Sequence, residues 1–187
     1  MKRGRQHGVV LLLYNCWAIL LRIILRRASA MADNLKSSDF LSGFDAAERE
    51  TLAKIATRKQ FKVGQPIFRQ GEKADGFYVI EKGLVSLDYA LPRQRHIMIQ
   101  QLEPGEVLGW SWLSEPYQWK FGATALDDVT AAFFPSADVR EQCARHPKLG
   151  YALMERVALA LMERLQATRH KLLVYAQRAS GADAQVC

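Results

Sequence analysis

The hydrophobic residues of this chain change rhythm three times. Near residues 42–56, Phe44, Leu52, Ile55 and Ala56 fall on one helical face. Ser42 and Asp45 stand before AAERETLAKIA, and either can cap that helix, because a short polar side chain accepts the orphan N–H groups of a first turn. From Thr57 to Phe134 the apolar residues come in short or alternating runs, punctuated by Gly64, Pro66, Gly71, Gly76, Gly83, Pro92, Pro104 and Gly105. Such a rhythm predicts short antiparallel strands in a roll or sandwich. From Ser136 the pattern turns helical again, first in SADVREQCARH and then in a long stretch after Pro147. The expected fold is mainly β with flanking helices: a jelly-roll or β-roll core, an N-terminal helix and a long C-terminal helix.

Along that last helix Met154, Ala158, Leu161, Leu165, Thr168, Leu172 and Tyr175 are spaced by alternating fours and threes, the seam of a coiled coil. A helix lying on the core and a helix pairing in a homodimer would both use such a stripe. The polar flanks Glu155, Arg156, Glu163, Arg164 and Arg169 favour the homodimer. Residues 35–176 are expected to form the domain, and the polar ending SGADAQVC places a disordered tail at 177–187.

Residues 1–34 read as a separate leader. A basic start, an apolar run from Val9 to Leu21 broken by Asn15, and a small-residue Ala-Ser-Ala close resemble a signal peptide. Arg22, Arg26 and Arg27 stand where a signal is normally uncharged, and the run is short for a membrane span, although tilting and arginine snorkelling could extend it. A start at Met31, ahead of the ordinary soluble sequence MADNLKSSDF, is the third possibility. The protein is expected in the cytoplasm, with membrane association through residues 9–25 as the alternative if residues 1–30 are retained.

Charge changes this picture by its distribution. The chain carries 26 Lys and Arg against 19 Asp and Glu, a formal +7. Residues 1–30 hold six basic residues and no acid, leaving 20 basic against 19 acidic in the rest. The domain is therefore near neutral, and the overall basicity is no argument for DNA. Cys16, Cys143 and Cys187 have neither disulfide-framework nor zinc-ligand spacing, which points to a reducing compartment.

Catalytic motifs are missing. GWSWL around Ser111 lacks the closing glycine of a nucleophile elbow, since Leu113 stands there. The sequence holds no phosphate-binding GxxxxGK[ST] loop and no HExxH pair, and His7, His96, His146 and His170 are dispersed. A non-enzymatic protein is expected.

The order of elements, together with FKVGQPIFRQGEKADGFYVIEKGLVSL and LEPGEVLGWSWL, resembles the cyclic nucleotide-binding domain of Crp/Fnr-type bacterial regulators over about Asp39 to Ala176. Gly64, Gly71 and Gly83 match turn positions that favour positive φ, and Phe77-Tyr78 match core aromatics. The resemblance implies a cassette opened by a Gly-Glu pair, here Gly105 and Glu106. Backbone N–H groups and a helix N-terminus would hold a cyclic phosphate, glutamate a ribose hydroxyl, and an arginine about ten residues on the phosphate charge. That arginine is absent: Tyr117 takes its place, and no arginine occurs between Arg95 and Arg140. Lys120 is the nearby cation, but lysine lacks the planar two-point fork of arginine.

Gly105, Glu106, Tyr117, Trp119 and Lys120 are thus the candidate ligand-binding residues, with Trp110, Trp112 and Phe121 as further aromatic lining. Three outcomes stay open: an altered small-ligand site, a loop packed shut by its aromatics, and a conventional nucleotide site using Lys120. Apart from a cyclic nucleotide or other small ligand, no cofactor is implied. The expected function is a non-catalytic sensor or regulatory module acting on an unknown downstream protein. The alternatives are a ligand-free dimerisation or docking scaffold and a truncated transcription regulator. Such regulators usually carry a helix-turn-helix after the dimer helix, and only about ten residues follow Ala176, so direct DNA binding is not expected.

Overall fold

The computed structural model of the protein describes residues 39–92 and 95–183. The leader expected at 1–34 lies outside the described residues, as do residues 184–187.

Two short helices come first, α1 (Asp39–Ser42) and α2 (Ala46–Ile55). Asp45 is the residue that caps α2: its carboxylate accepts from the Glu48 N–H at 2.8 Å, while the Glu48 carboxylate accepts from the Asp45 N–H at 2.9 Å. This reciprocal pair satisfies two donors that a helix start leaves orphaned. Phe44 and Leu52 are buried, as the amphipathic pattern requires.

Eight strands follow: β1 (Thr57–Phe61), β2 (Pro66–Phe68), β3 (Gly76–Lys82), β4 (Val85–Leu91), β5 (Arg95–Leu102), β6 (Val107–Leu108), β7 (Gly122–Ala125) and β8 (Val129–Pro135). They make two four-stranded antiparallel sheets, ordered β1-β8-β3-β6 and β2-β7-β4-β5. Apart from the β4–β5 hairpin, neighbouring strands in each sheet come from distant parts of the chain, the jelly-roll arrangement expected from the sequence. The core is built on β3 and β8, where Phe77 stacks on Phe134 with ring centroids 4.7 Å apart. Gly76 opens β3 against Phe134, and a Cβ there would overlap the Phe134 carbonyl oxygen, so only glycine lets the strands approach this closely. Gly64, Gly71 and Gly83 have φ of 76°, 86° and 87°, the left-handed turn conformations anticipated for them.

The described residues divide into two compact units, one ending at Val139 and the other beginning at Arg140. α3 (Ser136–Arg145) crosses that boundary, and α4 (Pro147–Asp183) is a single helix of 37 residues. α4 continues past Ala176 as far as Asp183, into the stretch where a disordered tail was expected from 177. Extending an existing helix gains one hydrogen bond per residue with no new nucleation cost, so a polar sequence containing alanines can prolong it. Leu149, Leu153 and Val157 are buried, whereas the seam residues Met154, Ala158, Leu161, Leu165 and Leu172 are exposed.

Candidate functional site

The segment between β5 and β7 was singled out by its Gly-Glu pair and its aromatics, and the fold distributes them to different places. Gly105 and Glu106 belong to the turn that joins β5 to β6. The Gly105 N–H donates to the Ile80 carbonyl at 2.8 Å and the Ile80 N–H to the Glu106 carbonyl at 3.0 Å, extending the β3–β6 pairing. The Glu106 carboxylate turns back and accepts from the Glu103 N–H at 2.6 Å. It thus closes its own turn, and Gly105 with φ of 94° permits the bend.

The helical turn of the segment, Ser111–Leu113, starts five residues beyond Glu106. The glycine that leads into it is Gly109, with φ of 92°, and the residue that follows is Trp110 rather than an acid. Sequence reasoning passed over Gly109, although its place between the apolar pair Val107-Leu108 and a tryptophan was a readable turn signal.

Two aromatic groups form from this segment. In one, Phe40 of α1 packs on Phe77 and on Trp110, at centroid distances of 6.1 and 5.9 Å, and Trp112 stacks on Phe77 at 5.8 Å. In the other, Trp119 stacks on Phe68 of β2 at 4.0 Å with the ring planes 14° apart, and Phe68 in turn meets Tyr78 at 6.0 Å. A Cβ added at Gly109 would come within 2.7 Å of the Trp119 ring, so the missing side chain is what lets the indole lie there. Trp112 and Trp119 keep only 3% and 4% of their surface exposed.

Backbone pairing fixes the loop that carries Trp119. The Trp119 N–H donates to the Glu72 carbonyl and the Gly71 N–H to the Trp119 carbonyl, both at 2.9 Å, and the Ala74 N–H donates to the Tyr117 carbonyl at 2.7 Å. Residues 117–119 therefore run antiparallel to residues 71–74. Tyr117 itself has φ of 55°, a left-handed conformation that costs a non-glycine residue on the order of 1–3 kcal/mol and persists where the surroundings fix it. Its side chain is partly exposed, Lys120 is exposed, and the Lys120 N–H donates to Ser111 Oγ at 3.3 Å. Phe121 turns toward Tyr89 of β4 on the outer surface, at 6.1 Å. The five candidates are close in sequence, but only Trp119 is buried.

Tyr78, beneath the Phe68–Trp119 stack, has its hydroxyl pKa pushed up to about 12, first by burial and then by the charge of Asp75. Burial also pushes up the Cys143 thiol, against any nucleophilic role at neutral pH. Among the described residues no group of His, Cys, Asp and Glu could hold a metal ion, and no helix is long and apolar enough to cross a membrane.

The family model of the cyclic nucleotide-binding domain matches residues 58–146. Residues 58–146 are a cyclic nucleotide-binding domain. The chain is 29% identical over 140 residues to the nitrogen fixation regulation protein FixK of Bradyrhizobium diazoefficiens, covering 75% of this chain and 56% of that protein. It thus spans little more than half of that relative. Among solved structures, a cyclic nucleotide-binding domain from Methylobacillus flagellatus superposes with a TM-score of 0.68 over 80% of this chain and 84% of its own, at 15% identity. The Thermus thermophilus catabolite activator protein does so at 0.61 over 74% of this chain and 63% of its own, at 22% identity. These two likenesses establish the fold.

Proposed function

We propose that this cyclic nucleotide-binding domain serves as a non-catalytic regulatory module whose cassette is closed by its own aromatic side chains, so that it takes cyclic nucleotide weakly or not at all. The observation that carries this reading is Trp119, a candidate ligand contact that is instead stacked on Phe68 and seated against Gly109. The polar groups needed for a nucleotide are turned to other uses: Glu106 closes its own turn and Lys120 faces solvent. Without a paired, desolvated cation a buried phosphate would forgo a contact worth roughly 2–5 kcal/mol, about thirtyfold to several-thousandfold in affinity.

In this reading the output runs through a surface and not through ligand occupancy. The proximal seam of α4, Met154, Ala158 and Leu161, is the part suited to a second copy of the chain.

Calorimetric titration of the full chain with cAMP and cGMP tests the closed cassette. No heat at high micromolar nucleotide, with an unchanged melting temperature, is expected. Tight binding by the wild-type chain, lost in Glu106→Ala or Lys120→Ala, would replace this reading with the conventional one. A second reading, an apolar ligand, rests on the partly exposed rings of Tyr117, Phe121 and Tyr89. Calorimetric binding of an aromatic probe such as indole, abolished in Tyr117→Ala, would select it.

A further inference from the structure

The excess positive charge of this protein sits in two places. Residues 1–30 hold six basic residues and no acid; residues 164–182 hold Arg164, Arg169, Lys171 and Arg178 and no acid. Removing both from the totals of 26 and 19 leaves 16 basic against 19 acidic, so the remainder is net negative. Both basic segments also carry large apolar residues. In the second, the structure shows how they are arranged.

Residues 164–182 lie within the distal half of α4, a continuous helix. Met162, Leu165, Leu172, Leu173 and Tyr175 are half to two-thirds exposed there. At 3.6 residues per turn these side chains and Leu161 spread over an arc of roughly 160°. Met162 and Leu173 stand about 80–100° away from the line of Leu172, outside the narrow strip that a two-stranded seam would cover. In a parallel self-pair, moreover, Arg164 would face Arg169 of the second copy, a like-charge contact that works against continuing the proximal pairing. A broad, flat apolar surface covers what a single facing helix leaves out.

The cations complete the pattern. Arg164 and Lys171 lie along one border of the apolar arc, and Arg169 lies within it, where a long arginine stem can rest on apolar surface while its head reaches polar groups. A helical stretch with an apolar face, arginine and lysine at its margins and no acid between Glu163 and Asp183 has the chemistry of one that lies in an anionic lipid interface. An acidic protein helix would satisfy the charges but not the width of the apolar arc. The basic, apolar sequence of residues 1–30 supplies a second attachment of the same chemistry, and one weak membrane contact becomes stable when a second is added.

We infer that the distal part of α4, from Arg164 to Gln177, is a membrane-binding surface for anionic phospholipid, independent of any occupancy of the cassette. The test is co-sedimentation of the full chain with vesicles of phosphatidylcholine alone or mixed with phosphatidylglycerol, at low and high salt. The wild-type chain should bind the mixed vesicles, should not bind the neutral ones, and should be released by salt. Arg169→Glu with Lys171→Glu should lower partitioning by at least roughly thirtyfold, the loss expected when two cations leave an anionic leaflet. Leu172→Glu with Leu173→Glu, at equally exposed positions, should lower it comparably, circular dichroism showing both variants helical. The inference is overturned if both variants bind mixed vesicles as the wild type does, which would assign attachment to residues 1–30 alone. It is overturned equally by salt-insensitive binding to neutral vesicles, by no vesicle binding at all, or by the chain preferring an acidic helical peptide to mixed vesicles.

Discussion

Residues 105–123 and the distal half of α4 are both rich in large apolar side chains, and the fold treats them oppositely. In the first, Trp112 and Trp119 retain 3% and 4% of their exposure; in the second, Leu172 and Tyr175 retain 62% and 66%. The difference comes from the backbone. Residues 117–119 are paired with residues 71–74, and Gly109 yields the space of a side chain, so the rings are drawn into the roll. A helix satisfies its backbone internally and projects side chains all round, so those not covered by a neighbour stay in solvent. Apolar character held inside makes a rigid element; held outside, it makes a surface for something else.

The comparison is broken most directly by truncating one ring. Trp119→Ala should cost about 3–5 kcal/mol by leaving a cavity beside Phe68, measured by urea denaturation at neutral pH. If the loss were under about 1 kcal/mol, the indole would not be the packing element described, and the closed cassette would fall with it. Alkaline titration is the next largest effect. Because the Tyr78 pKa is raised to about 12 from an ordinary 10, the neutral phenol stabilises the fold fully below pH 10. That contribution fades as pH rises from 10 to 12, by up to roughly 2–3 kcal/mol. Tyr78→Phe should remove this part of the pH dependence of the melting temperature and leave the neutral-pH slope alone.

Gly109→Ala combines a left-handed φ with a clash against Trp119 and should cost about 2 kcal/mol. Combined with Trp119→Ala it should cost less than the sum of the two, since the clash is gone; strict additivity would show that the two residues do not share one space. Glu106→Ala should cost about 1 kcal/mol, the worth of its bond to the Glu103 N–H, and leave nucleotide titrations unchanged. Leu172→Ala, at the other pole, should shift monomer stability by less than about 0.5 kcal/mol; a larger loss would mean that this face is covered in solution.

Much of the fold was legible because it follows from local chemistry. Gly64, Gly71 and Gly83 announced turns that L side chains disfavour, and Asp45 with Glu48 announced the start of α2. The helix α4 was readable because a period of three and four residues needs no tertiary information. β1 was less so: Thr57–Phe61 is mostly polar and exposed, and its pairing with β8 makes it a strand. The candidate site was legible as a segment and not as an arrangement. Gly105-Glu106 matched the expected pair in spelling, yet the chain reaches its helical turn only after Gly109-Trp110. No local rule indicated that Trp119 would find Phe68, fifty-one residues away.

By itself, then, the sequence determined where the chain turns, which stretches are strands or helices by period, and where positive charge gathers, because each is set by a few adjacent residues. Tertiary structure decided which aromatics are buried and which are displayed. That outcome depends on long-range strand register and on the room left by particular glycines, and neither exists until the two sheets have closed on each other.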